Sequence, residues 1–322
     1  MELAAVLVGV AGAIIMLAMP PTREGPWGLL YLVLMMAMTI PSAQAWWCQR
    51  RAVIILPVHG TGKRTWRLSV RRWGEAGLPV ILLHGLGGSG ASWHQTAEDL
   101  GEGFRAVAPD LLGFGRSPWP KIAYTVDDHL DALDALVCSE GLERGRIMVG
   151  GHSLGTTLAL AWAKRHPDWF AGLALIGLPC YRSSQEARRH AATLGPLAYA
   201  TVARPWLGQV MCALMCLSRP LWWLVAPRLT PRFPPDVARD WVLHTWESYS
   251  RTLNRCILDL DVPQLASEVA RRGPSVHLLH GRADREVPLG TVKELARTLR
   301  WSLTTVPDAG HFLPLEHPRV CA

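Results

Sequence analysis

The segment Gly151-His152-Ser153-Leu154-Gly155 is the feature of this sequence that most constrains its fold. It follows an apolar run at residues 147–150 and precedes a helix-like stretch at residues 156–165. A strand, a sharp turn and a helix in this order expose a serine hydroxyl at the turn, and the flanking glycines leave room for a strained backbone. The segment therefore predicts a nucleophilic Ser153 between a strand and a helix.

Composition limits the classes of protein and of partner. The 322 residues suffice for one large α/β domain with an insertion and a terminal extension. The net charge of +7 reflects basic residues clustered at positions 50–72, and no nucleic-acid-binding motif accompanies them. We therefore expect no nucleic-acid partner, whereas a basic stretch beside an apolar segment suits anionic lipid headgroups.

Cysteine spacing predicts neither a disulfide framework nor a metal centre. The seven cysteines are odd in number and scattered along the chain. Cys212 and Cys216 are four residues apart in an apolar stretch, which favours a shared helix face over metal binding. We expect no metal and no cofactor.

The amino-terminal 47 residues contain two uncharged apolar segments, at residues 3–22 and 27–47. Each is about as long as a membrane-spanning helix. Two spans followed by the Lys- and Arg-rich stretch predict a membrane protein with a cytoplasmic catalytic domain. The alternative is a signal peptide cleaved near Ala45, which would give a secreted or periplasmic protein.

Short apolar runs alternate with helix-like stretches along the rest of the chain. This alternation predicts an α/β fold with a doubly wound, mostly parallel sheet. We expect two hydrophobic segments at residues 1–47, the first part of the core at 48–182, a helical cap at 183–261 and the second part of the core at 262–322. The strand-like runs lie at residues 79–83, 105–108, 147–150, 173–176, 276–279 and 303–306.

Several motifs together resemble one known family. From residue 67 to residue 318 the chain is similar to the α/β-hydrolase fold superfamily, in particular to lipase-like and esterase-like serine hydrolases with a helical cap. The resemblance rests on His84-Gly85, residues 109–117, the Ser153 turn, Gly281-Arg282-Ala283-Asp284 and Gly310-His311-Phe312.

A serine hydroxyl needs a neutral imidazole to accept its proton and a carboxylate to orient that imidazole. His311 and Asp284 each follow a predicted strand, and the order Ser153, Asp284, His311 matches the order in the family that the chain resembles. They are the predicted base and acid. Weaker candidates are His152, His280 and His317 for the base and Asp259 and Asp261 for the acid, while Asp110 is expected to brace the turn at residues 113–115 and His84 to shape its loop.

The tetrahedral intermediate of acyl transfer needs two fixed N–H donors. The resemblance assigns these donors to the backbones of Leu86, on the glycine-rich loop after His84, and Leu154, at the start of the helix after Ser153.

Between residues 178 and 261 the strand pattern stops, and the sequence becomes apolar, proline-punctuated and rich in tryptophan. This composition indicates a lid over the site and favours a hydrophobic acyl substrate. Its candidate walls are Met211, Leu214, Met215, Leu217, Leu221 and Leu224.

These features predict a serine hydrolase that cleaves a carboxylic ester of a hydrophobic or lipid-like substrate through an acyl-enzyme. The same triad also serves thioesterases, acyltransferases and carbon–carbon hydrolases, and a non-catalytic receptor or scaffold could keep the pocket. Oligomeric state is not predicted from these features.

Overall fold

The computed structural model describes residues 55–58, 62–142 and 146–322. Both apolar segments predicted within residues 1–47, the cleavage position near Ala45 and the basic Arg50 and Arg51 lie outside these residues, so the topology and the signal peptide stay predictions. Within the described part of the chain, no single helix is long and apolar enough to cross a membrane. One helix pair there, Pro205–Cys216 with Arg219–Leu229, meets the length and composition criteria only jointly and is bent by 92°.

The core is a seven-stranded sheet in the order β3-β5-β4-β6-β7-β8-β9. Only β3 runs antiparallel to its neighbour, which confirms the mostly parallel α/β fold. A separate hairpin precedes this sheet. The strands are β1 Ile55–Pro57, β2 Arg64–Trp66, β3 Val70–Trp73, β4 Leu78–Leu83, β5 Phe104–Pro109, β6 Ile147–His152, β7 Phe170–Ile176, β8 Ser275–Gly281 and β9 Ser302–Val306.

The strands β4 and β6 are neighbours in the sheet, and the connections that leave them run to opposite sides. After β4 the chain crosses to β5 on one side, and after β6 it crosses to β7 on the other side. Leu83 at the end of β4 pairs with Gly151 near the end of β6. The loops that leave these two strands therefore open a crevice at the carboxyl edge of the sheet, where ligands bind in open α/β folds.

Within the described residues, three helices precede the insertion, and each follows a strand of the sheet. They are α1 His94–Asp99, which continues a 3₁₀ turn at Gly90–Trp93, α2 Val126–Ser139 and α3 Leu154–Arg165. Thr125 caps α2 by accepting a hydrogen bond from the N–H of Asp128, whose carboxylate in turn accepts one from the N–H of Thr125. This reciprocal pair satisfies two donors that a helix start leaves unpaired.

An insertion at residues 177–274 separates β7 from β8 and is helical, as its sequence predicts. Five of its helices carry a proline at their first or second position, where the missing N–H costs nothing. The boundaries of a cap at residues 183 and 261 remain a prediction. The helices are α4 Ser184–Ala191, α5 Pro196–Ala203, α6 Pro205–Leu217, α7 Arg219–Leu229, α8 Pro235–Asp240, α9 Trp246–Leu253 with a π-helical turn at Asn254–Leu258, and α10 Val262–Arg272.

After the insertion come α11 Leu289–Leu299, α12 Leu313–Glu316 and α13 Pro318–Cys321. The sheet is buried on both faces, as the continuous apolar strands require. Alternate residues of β4 point to opposite sides: Ile81 and Leu83 belong to the larger hydrophobic cluster, and Val80 and Leu82 to the smaller one.

The two glycines that flank Ser153 are required by close packing. A Cβ at Gly155 would overlap the carbonyl oxygen of Leu83, and a Cβ at Gly151 would lie 2.6 Å from the carbonyl oxygen of Gly155. The first turn of α3 can therefore rest directly on the ends of β4 and β6 only because neither position carries a side chain.

We expect Gly155→Ala to lower the free energy of unfolding by about 2 kcal/mol or more, because its methyl group must push α3 away from β4. Gly290→Ala is the matched control, since this helical glycine has no atom within 4 Å of an added Cβ. Its effect should stay within about 1 kcal/mol. Chemical denaturation of both variants measures this, and equal stabilities would contradict the close-packing argument.

Candidate active site

Ser153 occupies the turn between β6 and α3 in a backbone conformation that is rare outside glycine, with φ 50° and ψ −116°. Its N–H donates a 2.9 Å hydrogen bond to the carbonyl of Ile176 at the end of β7. This bond and the close-packed glycines hold the strained turn, and Ser153 borders the cavity above the carboxyl edge of the sheet.

Asp284 and His311 form a hydrogen-bonded pair on the loops that follow β8 and β9. The His311 Nδ1–H donates to Asp284 Oδ2 at 2.8 Å. The second carboxylate oxygen, Oδ1, accepts the backbone N–H groups of Glu286 at 2.8 Å and Val287 at 2.9 Å. The Asp284 side chain is fully buried, so these bonds replace its hydration and fix the imidazole with Nε2 as the free acceptor.

The pair shifts the pKa of each partner in the direction that favours its charged form. Burial acts to lower the pKa of His311, but the hydrogen bond and the charge of Asp284 outweigh it and raise that pKa above the ordinary 6.5. Burial acts to raise the pKa of Asp284, and the hydrogen bond and charge of His311 lower it below its ordinary value. Asp284 therefore stays ionised when His311 is neutral and stabilises the imidazolium when it forms.

Two glycines other than those that flank Ser153 make room for this arrangement. A Cβ at Gly177, which has φ 62°, would lie 3.2 Å from the ring of His311. A Cβ at Gly85 would lie 3.3 Å from the Cβ of Ser153. Ser153 and His311 line the same cavity, and His311 is hydrogen-bonded to Asp284. The triad of these three side chains stays a prediction.

The loop after β4 is fixed by His84. Leu111 N–H donates to His84 Nε2 at 2.8 Å, and His84 Nδ1–H donates to the carbonyl of Gly85 at 2.7 Å. Burial lowers the pKa of His84 to about 4, so this ring is neutral and its tautomer is set by both bonds. Leu86 follows on this loop.

Leu154 is the first residue of α3, and Leu86 lies on the loop across the crevice. In the described residues, neither backbone N–H donates a hydrogen bond elsewhere. Both residues are adjacent to groups that border the cavity, namely Ser153 and Gly85. Two N–H groups are thus available beside Ser153.

His152, one of the weaker candidates for the base, makes a contact that the sequence did not predict. Its position next to Ser153 predicts only that it points away from the serine, whereas its Nε2–H donates to the carbonyl oxygen of His311 at 2.8 Å. Burial and the neighbouring His311 lower the pKa of His152 to about 3, so it stays neutral. It anchors the loop that carries His311, and no motif spacing signals this contact.

Glu286 is a site residue that the sequence argument missed. Its Oε2 lies 3.7 Å from His311 Nε2, and it lines the cavity. Burial raises the pKa of Glu286 above its ordinary value, with the nearby His311 opposing that shift. The only sequence signal is its position two residues after Asp284.

The weaker candidates have structural roles. Asp259 pairs with Arg188 at 2.7 Å, and Asp261 accepts the N–H of Gln264 at the start of α10. His280 lies 3.5 Å from Asp284 Oδ2 and does not line the cavity. The remaining two are His317, which ends α12, and Asp110, which braces its turn by accepting the N–H groups of Arg116 and Gly90 at 2.8 and 2.7 Å.

The cavity above Ser153 and His311 has a volume of about 620 Å³ and is roofed by the insertion. Of the predicted walls, Met215 lines it. Met211, Leu214, Leu221 and Leu224 do not, and the three leucines are exposed on the surface of the insertion. The prediction for these four residues was wrong because helical spacing identifies an apolar face but not the direction in which it points. Aromatic residues of the lining include Trp222, Trp241, Trp246 and Tyr249.

In the part of the chain that the structure describes, no group of three or more His, Cys, Asp or Glu side chains is arranged to hold a metal ion. Cys212 and Cys216 share one face of α6, with their Sγ atoms 3.8 Å apart.

Comparison with known proteins establishes the family. The family model of the alpha/beta hydrolase fold matches residues 79–318, so this chain belongs to the α/β-hydrolase fold family. It is 29% identical over 237 residues to the probable lysophospholipase BODYGUARD 4 of Arabidopsis thaliana, covering 68% of this chain and 56% of that protein. It is 41% identical over 110 residues to the lipase LipV of Mycobacterium tuberculosis, covering 34% of this chain and 41% of that protein.

Among solved structures, a thermophilic esterase from Thermogutta terrifontis matches with a TM-score of 0.61 and 26% identity, covering 83% of this chain and 94% of that chain. The chain spans about half the length, or less, of the first curated relatives that it matches. The family is therefore established, and the activity has to be argued from the site.

The electrostatics of the pair can be tested without any substrate. We expect the pKa of His311, followed by NMR of labelled histidines, to lie above 6.5 and to fall in Asp284→Asn, because the hydrogen-bonded charge that raises it is removed. Glu286→Gln should lower it by a smaller amount, since its carboxylate lies farther away.

Glu294→Gln is the control, because Glu294 is exposed and pairs with Arg182. It should leave the His311 titration unchanged. A His311 pKa that stays the same in Asp284→Asn would contradict the geometry described for the pair.

Proposed function

We propose that this chain is a serine hydrolase that cleaves a carboxylic ester through an acyl-enzyme on Ser153. The observation that carries the proposal is the buried Asp284–His311 pair facing the same cavity as the strained Ser153. Matches to a lipase, a probable lysophospholipase and an esterase support ester chemistry.

In the first half of the reaction His311 accepts the proton of the Ser153 hydroxyl through Nε2, and the serine oxygen attacks the ester carbonyl. Asp284 holds the Nδ1–H and stabilises the imidazolium that forms. His311 then gives this proton to the leaving alcohol, which departs and leaves the acyl group on Ser153.

The negative oxygen of the tetrahedral intermediate is stabilised by the N–H groups of Leu86 and Leu154. The N–H of Leu154 lies at the start of α3, where the helix dipole favours an anion. The N–H of Leu86 is oriented by the loop that His84 holds. Fixed donors of this kind contribute to catalysis because they need no reorganisation as charge develops.

In the second half a water takes the place of the alcohol. His311 removes one of its protons, the resulting nucleophile attacks the acyl carbonyl, and the proton passes to Ser153 as the acid leaves. His152 and Glu286 act through His311: the first holds its loop, and the second adds a carboxylate near Nε2 that favours the imidazolium.

The substrate that fits this cavity is hydrophobic or lipid-like. The insertion contributes apolar and aromatic side chains to most of the lining, and such a wall binds an acyl chain by excluding water. Acyl length is set by how far the chain can extend between α6 and α7.

The nucleophile can be tested with a fluorophosphonate probe. We expect intact mass spectrometry to find one adduct on the wild type and none on Ser153→Ala, because only an activated serine attacks phosphorus rapidly. Ser92→Ala, at a serine that also borders the cavity, is the control and should keep the adduct. A correctly folded wild type without an adduct would move the assignment to a non-catalytic receptor or scaffold.

Acyl length can be tested by filling the cavity. Ala226 of α7 lines it, whereas Ala213 of α6 is exposed and does not. We expect Ala226→Trp to lower kcat/KM for long-chain p-nitrophenyl esters by about tenfold or more and to spare acetate esters, because it occupies the space of the acyl chain. Ala213→Trp should change neither. Equal losses on short and long esters would contradict acyl binding between these helices.

The same fold and triad also serve thioester cleavage and acyl transfer to an alcohol. Comparing an oxygen ester with the matching thioester, with and without an added long-chain alcohol, separates these alternatives. Free acid as the main product from the oxygen ester is the outcome that this proposal requires.

A further inference from the structure

The helices α6 and α7 are apolar on two faces rather than one. The face of α6 toward the site carries Gly208, Cys212 and Met215, all of which line the cavity. Its outer face carries Trp206, Val210 and Leu214, whose exposed fractions are 64%, 49% and 60%. Residues spaced by four lie on one side of a helix, so these three form a continuous stripe.

Helix α7 repeats this arrangement. Trp222 and Ala226 line the cavity, while Leu221 and Leu224 are exposed on the other side. A surface helix of a soluble protein normally has a polar outer face. An apolar outer face on both helices therefore requires a partner that buries it.

The exposed apolar side chains are concentrated in this region. Of the eleven large hydrophobic residues that are exposed in the described part of the chain, nine lie between residues 194 and 229. Contiguous apolar surface of this kind marks an interaction site, whereas single exposed hydrophobic residues do not. We call the following set the outer apolar face: Tyr199, Trp206, Val210, Leu214, Leu221, Trp223 and Leu224.

The chain segment that carries the outer apolar face has charged residues of one sign. Residues 187–235 contain six arginines and neither aspartate nor glutamate. Arg204 precedes α6, Arg228 ends α7 and Arg232 follows it, and all three are exposed. None of these three takes part in an ion pair within the described residues. An apolar surface with exposed guanidinium groups near the ends of its helices is complementary to a layer of acyl chains under anionic headgroups.

The cavity reaches the surface beside this face. Leu194 and Leu229 both line the cavity and are 40% and 63% exposed. The cavity is partly open to solvent, and we infer that it opens at these two exposed lining residues, next to the outer apolar face. A molecule that leaves a lipid layer at this edge enters the cavity without crossing water.

We propose that the outer apolar face of α6 and α7 docks on an anionic lipid bilayer, with Arg204, Arg228 and Arg232 contacting the headgroups. The docking surface is formed by residues 199–224 and places the opening at Leu194 and Leu229 against the bilayer. This proposal depends on the proposed ester hydrolysis only where it identifies the molecule that enters the cavity as an ester substrate.

The occupant of the face can be identified by photocrosslinking of the full chain. Leu214 is replaced by p-benzoylphenylalanine, and the protein is irradiated with vesicles of phosphatidylcholine alone or mixed with phosphatidylglycerol. We expect lipid adducts by mass spectrometry, with a yield roughly tenfold higher on the anionic vesicles because the arginines add their attraction. The same replacement at Val320, an exposed residue of α13, is the control and should give few adducts on either.

This readout needs no enzymatic activity, so it stays informative if the proposed function fails. A crosslink to residues 1–47 would show that the chain's own apolar segment covers the face, and a crosslink to a second copy would show a dimer interface. Either result, or equal yields at positions 214 and 320, would overturn the proposal.

Hydrolysis gives an independent measure. We expect the double variant Trp206→Glu/Leu214→Glu to lose about tenfold or more of the rate on a long-chain ester held in anionic vesicles, because two anchoring side chains become charged. Its rate on a soluble short-chain ester should not change, since neither residue lines the cavity. Val320→Glu should keep both rates.

An equal loss on both substrates would show damage to the site or the fold instead, and an unchanged rate on vesicles would show that the face does not dock. Both outcomes contradict the proposal. Arg204→Glu/Arg228→Glu should lower the rate on anionic vesicles more than on neutral ones.

Discussion

The contact between α3 and the end of β4 is the constraint on which the site depends. Because Gly155 has no side chain, the helix can approach the carbonyl of Leu83, and the turn that carries Ser153 is held between them. The N–H of Ser153 also donates a hydrogen bond to the carbonyl of Ile176 at the end of β7. The strained serine, the free N–H groups at the start of α3 and the neighbouring loop after β4 are thus consequences of one close-packed junction.

A buried carboxylate would destabilise the fold unless its hydration were replaced. Asp284 receives two backbone N–H groups and the Nδ1–H of His311, so its charge is retained inside the protein. The insertion is joined to this region by a second buried carboxylate, Asp240 of α8, which accepts the hydroxyl of Ser89 at 2.8 Å on the loop after Leu86. This hydrogen bond therefore fixes the position of the cavity roof relative to the loop that carries the N–H of Leu86.

Much of this arrangement could be predicted from sequence because the relevant signals are local. Continuous apolar runs predict buried parallel strands, and the glycine spacing around Ser153 predicts the turn. Predicted strand ends differ by only a few residues, as for β7, which begins at Phe170 rather than at residue 173. The short hairpin of β1 and β2 was not predicted, since three-residue strands carry too little periodicity.

Contacts between distant segments could not be predicted in the same way. The bond of His152 to the His311 backbone joins residues 159 positions apart, and the approach of Glu286 to His311 depends on how two loops fold over the sheet. The direction of Leu214, Leu221 and Leu224 was predicted wrongly for a related reason. When a helix is apolar on two faces, its pattern does not tell which face meets the protein.

The two apolar faces of α6 and α7 have a physical origin in the two environments that these helices would contact. A lid over a lipid-binding cavity needs apolar residues inside, and a lid that rests on a bilayer needs them outside as well. The same helices then satisfy two apolar environments, separated by the thickness of one helix, about 10 Å. Such helices are apolar on two faces, and the segment that carries them, residues 187–235, lacks acidic residues. The feature that made the insertion hard to orient from sequence is the one that a lipid-facing lid requires.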